Sequence, residues 1–227
     1  MRWLILLALI PLSRILFNIV LWFGHRNKNM EDKYGINIAK QMLVRLGLQD
    51  KVNVILEEND DCYDPLKNII NLSENNNRKT IASVAIAIHE VGHALQMNEG
   101  WSLYQFRCKV ILMKGPLIYI TAVLVLFGFA YKVCSIIAII SLVCLIICTV
   151  VELIVEINAS VRGCKFFQKY FKTNKSEMRK IGFLLGIAAL TYFADIINCI
   201  YIVGRALLHM IRNEKKNSHC ACHNMYI

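Results

Sequence analysis

His89-Glu90-Val91-Gly92-His93, with the apolar run Ile81-Ala82-Ser83-Val84-Ala85-Ile86-Ala87-Ile88 leading into it, is the stretch on which the reading of this chain turns. A helix brings residues four apart to one face. His89 and His93 can therefore each aim an imidazole nitrogen at one Zn²⁺, with Glu90 beside the open coordination position. The competing reading is two surface histidines on an ordinary amphipathic helix. The apolar run predicts a helix from about Thr80 to Met97, stopped by Asn98-Glu99-Gly100.

Outward from that helix, the chain is unusually apolar. It has 227 residues, 56% of them hydrophobic, and a mean hydropathy of +0.46. The excess is concentrated in blocks, and a bilayer core needs about 20 mostly apolar residues per spanning helix. Four segments are candidates, the second of them short unless it continues past Lys132. They are Trp3 to Phe23, interrupted by Arg14; Pro116 to Tyr131; Cys134 to about Val155, with Glu152 near its end; and Ile181 to about Leu208, containing Asp195 and Arg205. A soluble reading would leave Ile118 to Val151 as two buried helices with almost no polar face, which one small domain could hardly cover. The expected fold is mainly α and integral to the membrane. It is a zincin-like domain built on the His-Glu-x-x-His helix with a small β element, plus about four transmembrane helices. The first segment reads as an uncleaved anchor, because its apolar run exceeds a signal-peptide core. Arg14 costs roughly 2.5–3.5 kcal/mol at a helix centre, a cost that a partner such as Asp195 would relieve.

The net charge of +10 raises nucleic acid as a partner, and its distribution argues against it. Arg162, Lys165, Lys169, Lys172, Lys175, Arg179 and Lys180 crowd the stretch just after the third span, with no aromatic interleaving. Juxtamembrane basic clusters mark the cytoplasmic side and attract anionic lipid. The cysteines form no disulfide framework, and four of them lie in or beside apolar spans, which suits a reducing compartment. The tail cluster His219-Cys220-Ala221-Cys222-His223 is too tightly spaced for one ordinary tetrahedral site.

The expected organisation is an anchor over 1–24, a zinc-peptidase region over 25–115, a transmembrane hairpin over 116–155, a basic helix over 156–180, a membrane helix over 181–208 and a tail over 209–227. Within the second region, Ile36, Ala39, Met42, Leu43 and Leu46 predict a helix ended by Gly47. Val52–Leu56 and Ile69–Leu72 predict strands, joined by turn chemistry at Asp64-Pro65-Leu66-Lys67-Asn68.

A catalytic zinc has three protein ligands plus water. Glu99, Glu152 and Glu156 are candidates for the third. Two crossings joined by a turn at Tyr131-Lys132-Val133 return the chain to its starting side, so Glu156 and His93 can meet. The bland alternative pairs Glu156 with Arg162, and residue arithmetic alone leaves the choice open.

Glu156-Ile157-Asn158-Ala159-Ser160-Val161-Arg162 after a hairpin, together with His89-Glu90-Val91-Gly92-His93-Ala94-Leu95-Gln96, resembles the YugP-like family of membrane zinc metallopeptidases, itself similar to the HtpX and CAAX-prenyl-protease group. Asp61-Cys62-Tyr63-Asp64-Pro65 resembles the family's D-H-Y-D-P segment, with Cys62 in place of the histidine. Asn71-Leu72-Ser73 and Ala188-Ala189-Leu190-Thr191-Tyr192 extend the likeness in order along nearly the whole chain. The resemblance implies zinc held by His89, His93 and Glu156, with Glu90 as general base in peptide-bond hydrolysis. The related group has an aspartate where this chain has Ser160, which can hydrogen-bond a histidine but cannot hold it by charge. Tyr192, Tyr63 and Arg162 are the candidates for oxyanion stabilisation. Protein or peptide substrates, membrane proteins among them, and the lipid bilayer are the expected partners. The charge asymmetry about Lys132 predicts a multi-pass protein of the cell membrane with a cytoplasmic active site and an external N-terminus. Arg212, Lys215 and Lys216 argue against an external C-terminus, a conflict that a re-entrant fourth segment resolves. The rival function is a catalytically silent zinc-binding membrane scaffold.

Overall fold

The computed structural model describes residues 9–26, 34–58, 61–74, 77–128, 132–194, 196–197 and 200. Its elements are α1 (Leu9–Arg26), α2 (Gly35–Leu46), β1 (Asn53–Glu57), β2 (Cys62–Asp64), β3 (Ile69–Ser73), α3 (Ile81–Asn98), α4 (Ser102–Gly128) and α5 (Lys132–Tyr170). A further helix, α6, covers 175–194. The chain is thus mainly helical, with one three-stranded sheet of order β1-β3-β2. β1 runs parallel to β3 and β2 antiparallel to it.

The chain forms two compact units, one from residues 11–108 and 151–193, the other from the remaining residues. In the first, α2 buries Ile38, Ala39, Met42 and Leu43. Gly47 ends it in the left-handed region at φ 66°. Its N–H donates to Val44 O, and Leu48 N–H donates to Leu43 O, so two otherwise orphaned carbonyls are satisfied. β1 and β3 fall within a residue of the predicted strands. β2 was not expected. Three residues are too short for a readable period, and β2 exists because β3 offers it a second edge. After β2, Asp64 Oδ1 accepts N–H bonds from Leu66 and Lys67, the turn its sequence predicts.

α3 begins behind Thr80, whose hydroxyl accepts the Ser83 N–H at 3.2 Å. It is buried on almost every side, which is why its sequence shows little polar face. Gly100, at φ 65°, follows its end.

Two expectations change. The basic stretch 156–180 is not one helix: α5 ends at Tyr170 and α6 starts at 175. The cause is a capping box, with Asn174 Oδ1 accepting from Ser176 N–H and Glu177 Oε2 accepting from Asn174 N–H. The turn predicted at Tyr131-Lys132-Val133 also shifts, because α5 already includes Lys132 and Val133, while Tyr131 lies outside the described residues.

In the second unit, the latter part of α4 and the first part of α5 meet through a hydrogen bond between the buried hydroxyls of Thr121 and Ser141. Leu112, Met113, Tyr119, Val133 and Ile140 stay exposed, an apolar surface of the kind that marks contact with lipid or a partner. Among the described residues one helix is long and apolar enough to cross a membrane, Ile136–Tyr170, 35 residues whose most apolar 18-residue window has a mean hydropathy of 2.9. The count of four spans is not reached there. Residues 3–8 and 201–208, Asp195 and Arg205 lie outside the described residues. α4 carries Arg107, Lys109 and Lys114 ahead of its apolar half, which shortens the apolar window.

Candidate metal centre

α3 and α5 run antiparallel and nearly touch. A Cβ at Gly92 would lie 2.2 Å from the Ala159 carbonyl oxygen, and one at Gly163 would lie 2.2 Å from that of Ile88. These two glycines, each lacking a side chain, let the backbones approach so closely. The Ala159 contact gives Gly92 a packing role.

The close approach brings together His89, His93 and Glu156, whose ligand atoms all lie within 4.8 Å of one another. Glu156 Oε2 is 3.0 Å from His89 Nε2 and 3.5 Å from His93 Nε2. Bonds of about 2.0–2.1 Å to a tetrahedral Zn²⁺ imply donor separations of about 3.3 Å, so this donor set fits zinc. Neither Glu99 nor Glu152 belongs to the cluster. Glu99 pairs with Arg162, and Arg162 also lies over the Trp101 ring at 5.4 Å. The pairing of Glu156 with Arg162 weighed from sequence therefore gives way. The Glu156 carboxylate is instead divided, with Oε2 toward the histidines and Oε1 accepting from Arg107 Nη2.

The tautomer of His93 follows from Gln96. The Gln96 amide nitrogen donates to Val155 O at 2.9 Å and to Asn158 Oδ1 at 3.0 Å. A backbone carbonyl only accepts, so Gln96 Oε1 must be the atom facing His93 Nδ1, at 3.0 Å. Nδ1 then carries the proton, and the Nε2 lone pair points toward Glu156 and the centre. His89 Nδ1 lies 2.9 Å from Ser160 Oγ. A His89 that ligates through Nε2 donates its Nδ1–H there, so Ser160 acts as the acceptor. Burial, the largest single influence, works against charge on His89, but the hydrogen bond with Glu156 and the nearby Glu90 and Glu156 carboxylates together outweigh it and hold the imidazole pKa above its ordinary value.

Glu90 is buried on α3, and burial raises its pKa above the ordinary carboxylate range. It lines one cavity together with His89, Glu156, Ser160 and Tyr192. Of the oxyanion candidates, only Tyr192 faces this cavity. Tyr63 donates to Asn68 Oδ1 instead, and Arg162 is held by Glu99.

Sequence reasoning missed Gln96, Asn158 and Arg107. Gln96 stands three residues after His93 and Asn158 two after Glu156, a spacing that could have suggested support for the ligands. Arg107, 49 residues from Glu156, left no such signal. Gln96→Leu, which removes the acceptor for His93 Nδ1, should weaken zinc binding by about 10–100-fold in competition with a chromogenic chelator. Unchanged affinity would show that the ring orientation does not depend on Gln96.

A helix presenting His-Glu-x-x-His beside a distal glutamate defines a mononuclear zinc site of the metallopeptidase type. The pattern of the family described as "Putative neutral zinc metallopeptidase" matches residues 3–211, and the chain belongs to that family. Over 187 residues, 81% of this chain and 83% of the relative, it is 27% identical to the protein named "Putative membrane protease YugP" of Bacillus subtilis (strain 168). No solved structure matches the chain.

Proposed function

We propose that this chain is a membrane-embedded zinc endopeptidase in which His89, His93 and Glu156 hold the ion and Glu90 is the general base. Bound zinc supplies Lewis acidity, which makes water acidic near neutral pH and polarises the scissile carbonyl. Glu90 accepts the proton of the attacking water and returns it to the leaving amine nitrogen. Gln96 and Ser160 orient the two imidazoles, while Arg107 holds Glu156 Oε1 so that Oε2 faces the histidines.

The observation that carries this reading is Glu90. Among the described residues no protein group hydrogen-bonds its carboxylate, yet it is buried and lines a cavity together with His89 and Glu156. Burying a carboxylate is costly, as the raised pKa of Glu90 reflects, and a site that only held the fold together would have no use for it. Three protein donors among the described residues also leave a coordination position open, whereas structural zinc sites are closed by four.

Membrane embedding is supported by the apolar helix Ile136–Tyr170 and by the exposed apolar side chains of α4 and α5. The further spans belong to this proposal, as do the cytoplasmic active site, the external N-terminus and substrates drawn from proteins or peptides, membrane proteins among them. The basic residues after α5 support that orientation. The test uses the full chain in lipid nanodiscs with quenched peptides and an unfolded membrane protein. Cleavage should stop on chelation and return with added Zn²⁺. Zinc-replete protein that cleaves nothing, or metal-free protein that still cleaves, would overturn the proposal.

A further inference from the structure

Beside Glu90 the site opens into a cavity of about 280 Å³ whose far walls are apolar: Phe17, Leu21, Ile86, Leu184, Ala188 and Ala189. Its construction is specific. Leu184, Leu185, Ala188, Ala189 and Tyr192 form one stripe on α6, spaced by helical turns. Phe17 and Leu21 share a face of α1 with Gly24, where a Cβ would lie 2.7 Å from Leu184 Cδ1 and 3.1 Å from Ala82 Cβ. The missing side chain at Gly24 thus lets α1 close against α6 and α3, and this sets Phe17 and Leu21 as a wall. Ala188 and Ala189 leave the interior open where larger residues would fill it.

The volume lies just below the roughly 300–1,000 Å³ range of small-molecule pockets, so it holds a side chain or two rather than a length of helix. Among the described residues no lysine or arginine lines it, and its polar end carries the carboxylates of Asp61, Glu90 and Glu156. An acidic side chain would find no lysine or arginine counter-charge in that lining, and a small one would leave the apolar walls wet.

We infer that this cavity is the subsite for the residue flanking the scissile bond, and that it selects a large apolar side chain such as leucine, methionine or phenylalanine. The inference rests on the peptidase reading, and it adds a substrate class to it. The test is a set of quenched peptides differing only at the residues that flank one scissile bond, cleaved by zinc-loaded full chain in nanodiscs. Leucine or phenylalanine should exceed alanine in kcat/KM by about 10-fold or more, with aspartate the poorest. Ala188→Leu, which fills the cavity, should cut the leucine-to-alanine ratio by a similar factor. The milder Ala188→Val serves if the leucine variant loses its zinc. A second measurement is binding of fluorescent leucine and aspartate peptides to zinc-loaded Glu90→Gln protein, in which leucine should bind more tightly. Cleavage without apolar preference, or a ratio unmoved by the filling substitution, overturns this inference alone. Co-purifying phospholipid that fills the cavity and is not displaced by peptide overturns it too. Failure to cleave any peptide removes the peptidase reading as well.

Discussion

Glu90→Gln protein should keep its zinc and its fold while cleaving peptides about 10²–10⁴-fold more slowly than the parent. The substitution is nearly isosteric and touches none of the three donors that converge on the metal position. What it removes is the one atom able to take a proton. Because burial is the largest influence on Glu90 and raises its pKa despite the neighbouring His89 and His93, neutralising it also removes a desolvation cost. Its thermal midpoint should therefore match or exceed that of the parent, and a drop in activity could not be assigned to unfolding. Metal analysis, a melting curve and peptide turnover on one preparation check all three. Near-parental turnover would take Glu90 out of the mechanism.

Gly92→Ala should do the reverse, disabling the metal site through its scaffold. Alanine is the better helix former by about 1 kcal/mol, so propensity alone predicts a gain. Packing opposes it, because the added Cβ would sit 2.2 Å from Ala159 O and 2.8 Å from Ala159 C, backbone atoms that cannot swing aside. Reaching ordinary contact requires α3 and α5 to part by at least about 1 Å. Overpacking of this kind costs about 1–3 kcal/mol. The larger effect falls on the metal, since His89 and His93 ride on one helix and Glu156 on the other, and metal–ligand distances tolerate only about 0.2 Å. Zinc affinity should fall by 100-fold or more, on the order of what a 1 Å misplacement costs elsewhere. Gly186→Ala is the control, because nothing lies within 4 Å of its Cβ position. Equal zinc affinity in the Gly92→Ala and Gly186→Ala proteins would show that the helices can separate without cost to the site.

The local parts of the fold were legible because their signals are local. The start of α3 near Thr80, Gly100 beyond its end and Gly47 at the end of α2 act through their own backbone neighbours, so a reader of residues finds them. The capping box from Asn174 to Glu177 was just as local and was overlooked within a run of charge, which is why 156–180 was read as one helix. β2 carried no readable signal, since its strand character comes from β3.

Spacing by itself determined that His89 and His93 share a helix face with Glu90 next to them, because 3.6 residues per turn allows little else. It could narrow the distal carboxylate only to a short set of glutamates. Tertiary structure decided the rest. Gly92 and Gly163 let two antiparallel helices come into backbone contact, Glu156 meets His89 and His93 across 67 and 63 residues of chain, and Arg107 and Gln96 hold the ligands in place. Side chains so far apart in sequence meet only where packing puts them, and helical periodicity carries no record of that meeting.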